Sequence, residues 1–224
     1  MKFFLLLWFV LIFSISGNAQ QAWGLGSEIG LSHGKFVTIG AAIGGNVSSR
    51  SNLLLTGGLN GHLYFQFSTD HFFVIKGGYL TNGYRYVLEG FFDEDRAVSR
   101  HRFHYLGINS QYFYRVGQHK KRDKTKFYLT GGLFWDYKIY SKWKHANVQV
   151  FDNLNFKKHN FGLVFGASFL RKISKRKDYM FFFNYYLGLN NISPTTTFAT
   201  KTFLRGTTIG MALKINKRKK RKKK

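Results

Sequence analysis

The sequence predicts an all-β protein, an eight-stranded antiparallel up-and-down transmembrane β-barrel. Three observations carry that expectation: the composition, an apolar leader, and a two-residue alternation that recurs in eight segments. The 224 residues hold 25 Phe, 13 Tyr and 24 Gly against a single Pro. A soluble domain would have to hide most of those rings, whereas aromatic and Gly-rich strands that face lipid display them.

Charge narrows the function classes. The formal net charge is +25, and the eight basic residues at 217–224 account for eight of these, leaving +17 spread along the rest. Electrostatics alone would permit nucleic acid, anionic lipid or acidic polysaccharide as neighbours. The chain has no cysteine, which removes disulfides, Cys-ligated zinc and thiol nucleophiles.

The leader decides between those neighbours. Met1 and Lys2 precede an apolar stretch from Phe3 to about Ile15, and "SGNAQ" supplies small residues before an expected cut after Ala19. About a dozen apolar residues is short for a membrane span, which needs roughly 20. A signal peptide over 1–19 is therefore expected, and an exported chain does not meet the chromosome. No nucleic acid is expected as a partner.

Past Ala19 no apolar run is long enough for a membrane helix, so any crossing is made by strands. In "LLLTGGLNGHLYFQFS", Leu53, Leu55, Leu59, Leu63, Phe65 and Phe67 share one face, and Thr56, Asn60, His62, Tyr64 and Gln66 the other. In "KFYLTGGLFWDYKIYSK", Phe127, Leu129, Leu133, Trp135, Tyr137 and Ile139 oppose Lys126, Thr130, Asp136, Lys138 and Lys142. The alternation returns in "NFGLVFGASF", "YMFFFNYYLGLN" and "TKTFLRGTTIGMALKI". It is less clean in "AWGLGSEIGLS", "FFVIKGGYLTNGYRYVLE" and "HRFHYLGINSQYFYRV", which predicts bulges there.

The links also alternate in kind. "STD" (68–70), "GQHKKRDKT" (117–125) and "SKRKD" (174–178) are short polar turns, and four longer links lie between them. An up-and-down barrel then places both termini and the short turns on the periplasmic side and the long links outside. The barrel is expected to occupy 20–216, with 217–224 a polybasic periplasmic tail. A soluble barrel of the lipocalin kind would need an apolar interior. The polar face here carries Asn60, His62, Gln66, Lys126, Asp136, Lys138 and Asn184, too many to fill a dry core cheaply. Trp23, Tyr79, Tyr112, Tyr114, Trp135, Tyr137, Tyr179 and Tyr185 are expected as interfacial girdle residues.

The stretch "RFHYLGINSQYFYRVG" followed by "KFYLTGGLFWDYKI" resembles the central signature of the PorT-like outer-membrane β-barrel family of Bacteroidetes type. Tyr105, Leu106, Ile108, Phe127, Tyr128, Leu129, Gly131 and Gly132 fall on that pattern, with Asn109 where many relatives have Pro. The resemblance implies an outer-membrane barrel with little chemistry, some members being associated with protein secretion. "TTIGMALKI", with Thr208, Gly210, Leu213 and Ile215, is similar to the terminal signal by which such barrels are recognised for insertion, although nine residues follow it here.

Chemistry is sparse. His101 and His104, near Asp93, Glu94 and Asp95, could form a His/Asp pair or a loose cation site; the alternative is a solvated loop whose acids balance Arg96, Arg100 and Arg102. Glu28, His62, Lys76, Asp136 and Lys138 are expected inside the barrel as a plug of ion pairs, since eight strands leave room only for side chains. His119, His145 and His159 are expected as solvated link residues. Phe91, Phe92, Val148, Val150 and Phe151 either present an apolar edge or fold onto the rim.

The expectation is thus a protein of the bacterial outer membrane of structural, binding or secretion-accessory type. No catalytic residue, cofactor or metal is expected. Its neighbours would be outer-membrane lipid and an acidic periplasmic or secretion-system protein. The alternative is an outer-membrane hydrolase or lipid-modifying enzyme using His104 and Asp95.

Overall fold

The computed structural model describes residues 20–38, 50–68, 70–89, 96–117, 124–145, 148–151, 156–174, 176–192 and 200–216. The leader, the polybasic tail, Asp93, Glu94, Asp95, Phe91, Phe92 and His119 lie outside the described residues.

The described chain is strand throughout, in ten segments: β1 (Gln20–Thr38), β2 (Arg50–Asn52), β3 (Leu54–Gln66), β4 (His71–Glu89), β5 (Arg96–Val116), β6 (Thr125–His145), β7 (Val148–Phe151), β8 (His159–Lys172), β9 (Lys177–Gly188) and β10 (Thr200–Asn216). Eight of them close a barrel in the order β1-β3-β4-β5-β6-β8-β9-β10, all antiparallel, with β10 returning to β1 from Ala22↔Asn216 to Thr38↔Thr200. β2 and β7 extend this wall, pairing with the upper ends of β4 and β6. Closure gives each of the eight barrel strands a neighbour on both sides, which is what makes strands acceptable in an apolar surround.

The expected eight segments are all present, and they run longer than the alternation alone indicated. β5 and β6 each span 21 residues, against the 9–11 that a tilted transmembrane strand needs. The three short turns fall at the expected places and at one end of the barrel. Two are organised by a serine hydroxyl: Ser68 Oγ accepts from the amides of Asp70 and His71 at 3.1 Å, and Ser174 Oγ from those of Arg176 and Lys177 at 3.2 and 3.1 Å. The third opens on Gly117, whose φ of 98° only glycine adopts without strain.

Alternation sorts the side chains into an outside and an inside. Each of the eight barrel strands turns large apolar residues outward, among them Leu25, Leu59, Tyr79, Leu106, Leu129, Phe165, Phe183 and Ile209, with Leu59 at 69% exposure and Leu25 at 66%. Soluble monomers rarely expose contiguous apolar patches larger than a few hundred Å²; this one encircles the molecule. The expected girdle residues all point outward. Trp23, Tyr112, Tyr114 and Tyr179 lie toward the turn end, and Tyr79, Trp135 and Tyr137 toward the other.

Candidate functional site

The interior is built in three layers. Nearest the short turns, Tyr64, Phe72, Val74, Phe113, Tyr128, Met180 and Phe182 pack into an aromatic plug, with Phe72 stacked on Phe113 at 4.5 Å between ring centroids and meeting Tyr128 edge-on at 4.8 Å. At the opposite mouth a second plug joins Tyr84, Phe103, Tyr105, Phe156, Ile192 and Leu204. Phe156 and Ile192 come from the ends of two long links, and these ends are tied by Ile192 N–H donating to Thr202 O at 2.9 Å and Lys157 N–H to Ile192 O at 3.2 Å.

Between the plugs lies the polar layer. Glu28 accepts from Asn60 Nδ2 at 3.1 Å, from Thr208 Oγ1 at 3.1 Å and from the Tyr186 hydroxyl at 3.3 Å. Asn109 donates to Tyr186, Gln111 to Asn184, and Asn160 Nδ2 to Asp136 at 3.1 Å. Lys76 is buried with its Nζ 3.9 Å from the Phe182 ring centroid and no hydrogen-bond partner. Glu28, Lys76 and Asp136 line one cavity of about 40 Å³, a volume that suits water and excludes organic solutes.

Four of the five expected plug residues behave differently from the ion-pair network anticipated. Lys76 sits over a ring, His62 faces the Tyr64 hydroxyl at 3.2 Å, Asp136 is held by an amide, and Glu28 is bound by three neutral donors. Lys138 lies 5.6 Å from the Phe156 ring in the upper plug. The physical reason is that ions removed from water rarely recover their hydration energy from one another, and neutral hydrogen bonds plus ring faces satisfy them at lower cost. An ion pair stands at the turn end, Arg115 to Asp70 at 3.3 Å.

The histidine pair is taken apart by the strand itself. His101 points inward, stacked on Tyr84 at 4.9 Å and edge-on to Phe156. His104, three residues along and therefore on the opposite face, points outward, its ring 3.9 Å from that of Tyr140 and its Nδ1 bonded to the Tyr79 hydroxyl. The two do not converge on one site. Among the described residues no group of three His, Asp or Glu side chains is placed to hold a metal ion. His159 is not a solvated link residue: it opens β8 and stacks on Trp135 at 5.6 Å, within the upper girdle.

A further correction lies on β6. His104 pairs with Tyr140 but Tyr105 pairs with Lys138, so Ile139 is an extra residue in β6. Above this bulge the alternation changes phase: Ser141 is buried, and Lys142 stands outward opposite Arg102 instead of sharing the interior face of Lys138. Bulges were expected in β1, β4 and β5; β1 and β4 pair with their neighbours without a register shift, and the irregularity that does fall on the β5–β6 pair has its extra residue in the partner strand. Simple alternation could not assign Arg100, Arg102, Lys142 and Lys144 to one patch. The signal available was the two i, i+2 pairs of cations, "RHR" and "KWK".

The fold is similar to that of the outer membrane protein OprG from Pseudomonas aeruginosa, with a TM-score of 0.50 at 12% identity, covering 91% of this chain and 99% of that one. Neisserial surface protein A (TM-score 0.45, 11% identity, 87% of this chain and 97% of that one) and Ail, the attachment invasion locus protein of Yersinia pestis (0.42, 10%, 88% and 99%), are also similar solved structures. No protein-family model and no curated protein matches the sequence. With its closed antiparallel wall, apolar exterior and plugged interior, the chain has the eight-stranded outer-membrane β-barrel fold.

Proposed function

We propose that the protein resides in the bacterial outer membrane as a closed barrel of structural, binding or secretion-accessory type, working through its surfaces and carrying no catalytic activity. The single observation that carries the reading is the pairing of an apolar belt on all eight strands with an interior blocked by two aromatic plugs. In water each of those side chains would forgo about 1.5–3 kcal/mol of burial energy, and no solute larger than water fits the middle layer. Contact with the outside world is left to the rims.

The likeness to PorT-like barrels supports the secretion-accessory form of this reading. Both halves of that signature lie on neighbouring strands, with Tyr112↔Gly131 in register. The turn end, with Lys124, Arg171, Lys172, Arg176 and Lys177 exposed, suits an acidic periplasmic partner. Membrane fractionation tests the reading: the full chain should sediment with outer membranes, need detergent for release and migrate faster unheated than heated on gels. Recovery in a soluble periplasmic fraction would end it. A pull-down from detergent-solubilised outer membranes then tests the accessory role.

A further inference from the structure

Three charged side chains share the chamber between the two plugs without touching one another. Glu28 of β1, Lys76 of β4 and Asp136 of β6 line the same cavity of about 40 Å³, and no ion pair joins Lys76 to either carboxylate. Each is held by neutral groups instead. Glu28 takes its three neutral donors, and Asp136 takes Asn160 Nδ2 at 3.1 Å. Lys76 is 2% exposed, and its Nζ has the Phe182 ring at 3.9 Å but no hydrogen bond for its N–H donors. A ring face replaces only part of the hydration an ammonium gives up, and bare N–H donors in an interior stay costly.

The acceptors that would satisfy Lys76 line the same cavity. Asn109 stands directly opposite it in the β4–β5 register, and Asn109 Oδ1 is buried without a partner. Tyr186 gives its single hydroxyl proton to Glu28, so Asn109 meets that hydroxyl with its NH₂ group, at 3.1 Å, and Oδ1 is left on the free side. Asp136 is the next inward residue of β6 after Phe134, the partner of Asn109.

Volume and charge together select the ligand. About 10–15 Å³ of such space holds one water, so the chamber takes roughly three and no organic solute. A small cation would meet the Lys76 ammonium, and a small anion would meet two carboxylates. The walls favour a neutral molecule that both donates and accepts.

We propose that the chamber is a water-binding site, in which roughly three ordered waters join the Lys76 ammonium to Asn109 Oδ1 and to the Glu28 and Asp136 carboxylates. The charges of the plug then interact at one remove, each N–H donor of Lys76 finding an acceptor that no side chain of the layer supplies directly. Only the closed interior is needed, and the site is the same whether or not the barrel lies in a membrane.

The test takes crystals of the full chain grown from detergent, either untreated, pressurised with xenon, or soaked in thallium(I) or bromide salts. Untreated crystals should show density peaks within hydrogen-bond distance of Lys76 Nζ that also reach Asn109 Oδ1 or a carboxylate. The heavy probes should give no anomalous signal in the chamber. Xenon there would reveal a dry apolar void, thallium a cation site and bromide an anion site, and each overturns the proposal. A direct contact of Lys76 Nζ with either carboxylate, with no peak between them, does the same.

Urea titration supplies the solution readout. Asp136→Asn should lower the folding constant about tenfold more in wild type than in a Lys76→Met background, because bridged charges are coupled. The same change should add independently to Lys214→Met, whose ammonium lies 5.2 Å from the Tyr64 ring in the turn-end plug. Independence from Lys76→Met as well would overturn the bridge. If Lys76→Met does not fold, the crystals of the wild type decide alone.

Discussion

At the scale of single residues, Glu28 organises the polar layer because one carboxylate satisfies three donors from three different strands, β3, β9 and β10. Removing it strands those donors, each costing about 1–3 kcal/mol when buried and unpaired. Glu28→Ala is expected to lower unfolding stability in detergent by about 2–5 kcal/mol, read from urea titration. Glu28→Gln should cost less, because one oxygen is retained and the hydroxyls of Tyr186 and Thr208 can turn to accept. Gly210 shows a steric constraint at the same scale. A Cβ there would meet the Phe182 ring and Ser27 O, so Gly210→Val should destabilise by about 1–3 kcal/mol through overpacking. Met211→Val, one residue along and facing outward, should have little effect by the same measurement.

At the scale of elements, the β5–β6 hairpin is the most informative. A single extra residue, Ile139, reverses which face every later side chain of β6 occupies. The chain contains no cysteine, so single-thiol probes report without background. Lys142→Cys should react readily with a membrane-impermeant maleimide and Lys138→Cys should be protected; protection at both positions would show that the bulge does not reset the phase. Deleting Ile139 should remove the bulge and leave position 142 outward and reactive, because plain alternation from Lys138 then places Tyr140 outward, Ser141 inward and Lys142 outward. The histidines belong to the same lesson. That His101 and His104 fall on opposite faces follows from their spacing alone, whereas the pocket each enters depends on neighbours: Tyr84 and Phe156 for one, Tyr79 and Tyr140 for the other.

At the scale of the whole molecule, the outer belt and the inner plugs separate a membrane barrel from a soluble one. Leu59 sits midway along β3 on the outer face and is 69% exposed. An exposed Leu→Arg change in a soluble protein usually falls within about 0.5 kcal/mol. In a bilayer Leu59→Arg should cost about 2–4 kcal/mol, as expected near the midplane, measured by reversible folding into lipid vesicles. The plugs make a second expectation: reconstituted wild type should show no discrete conductance steps in planar bilayers, since both aromatic layers would have to open together. Steps of porin size would refute the closed interior.

Much of this architecture was legible in the sequence because strand alternation is a local property. Leu53 to Phe67 or Phe127 to Tyr137 declare an outside face without knowledge of any partner, and the polar turns mark where the chain reverses. The eight strands, their antiparallel order and the girdle follow from those signals and from the rule that a strand in lipid must leave no edge. What neighbours decide was not legible. The inward rings of Tyr64, Phe72, Phe113 and Phe182 come from four different strands, so their plug exists only once the wall is closed. The same holds for Phe156 and Ile192, link residues that alternation leaves unassigned and that the barrel mouth draws inward as apolar surface to cover. The cation patch needed both the cross-strand register and the bulge phase. Local periodicity fixed which residues could face lipid; only the closed wall determined which interior and rim groups meet, because those contacts join positions far apart in the chain.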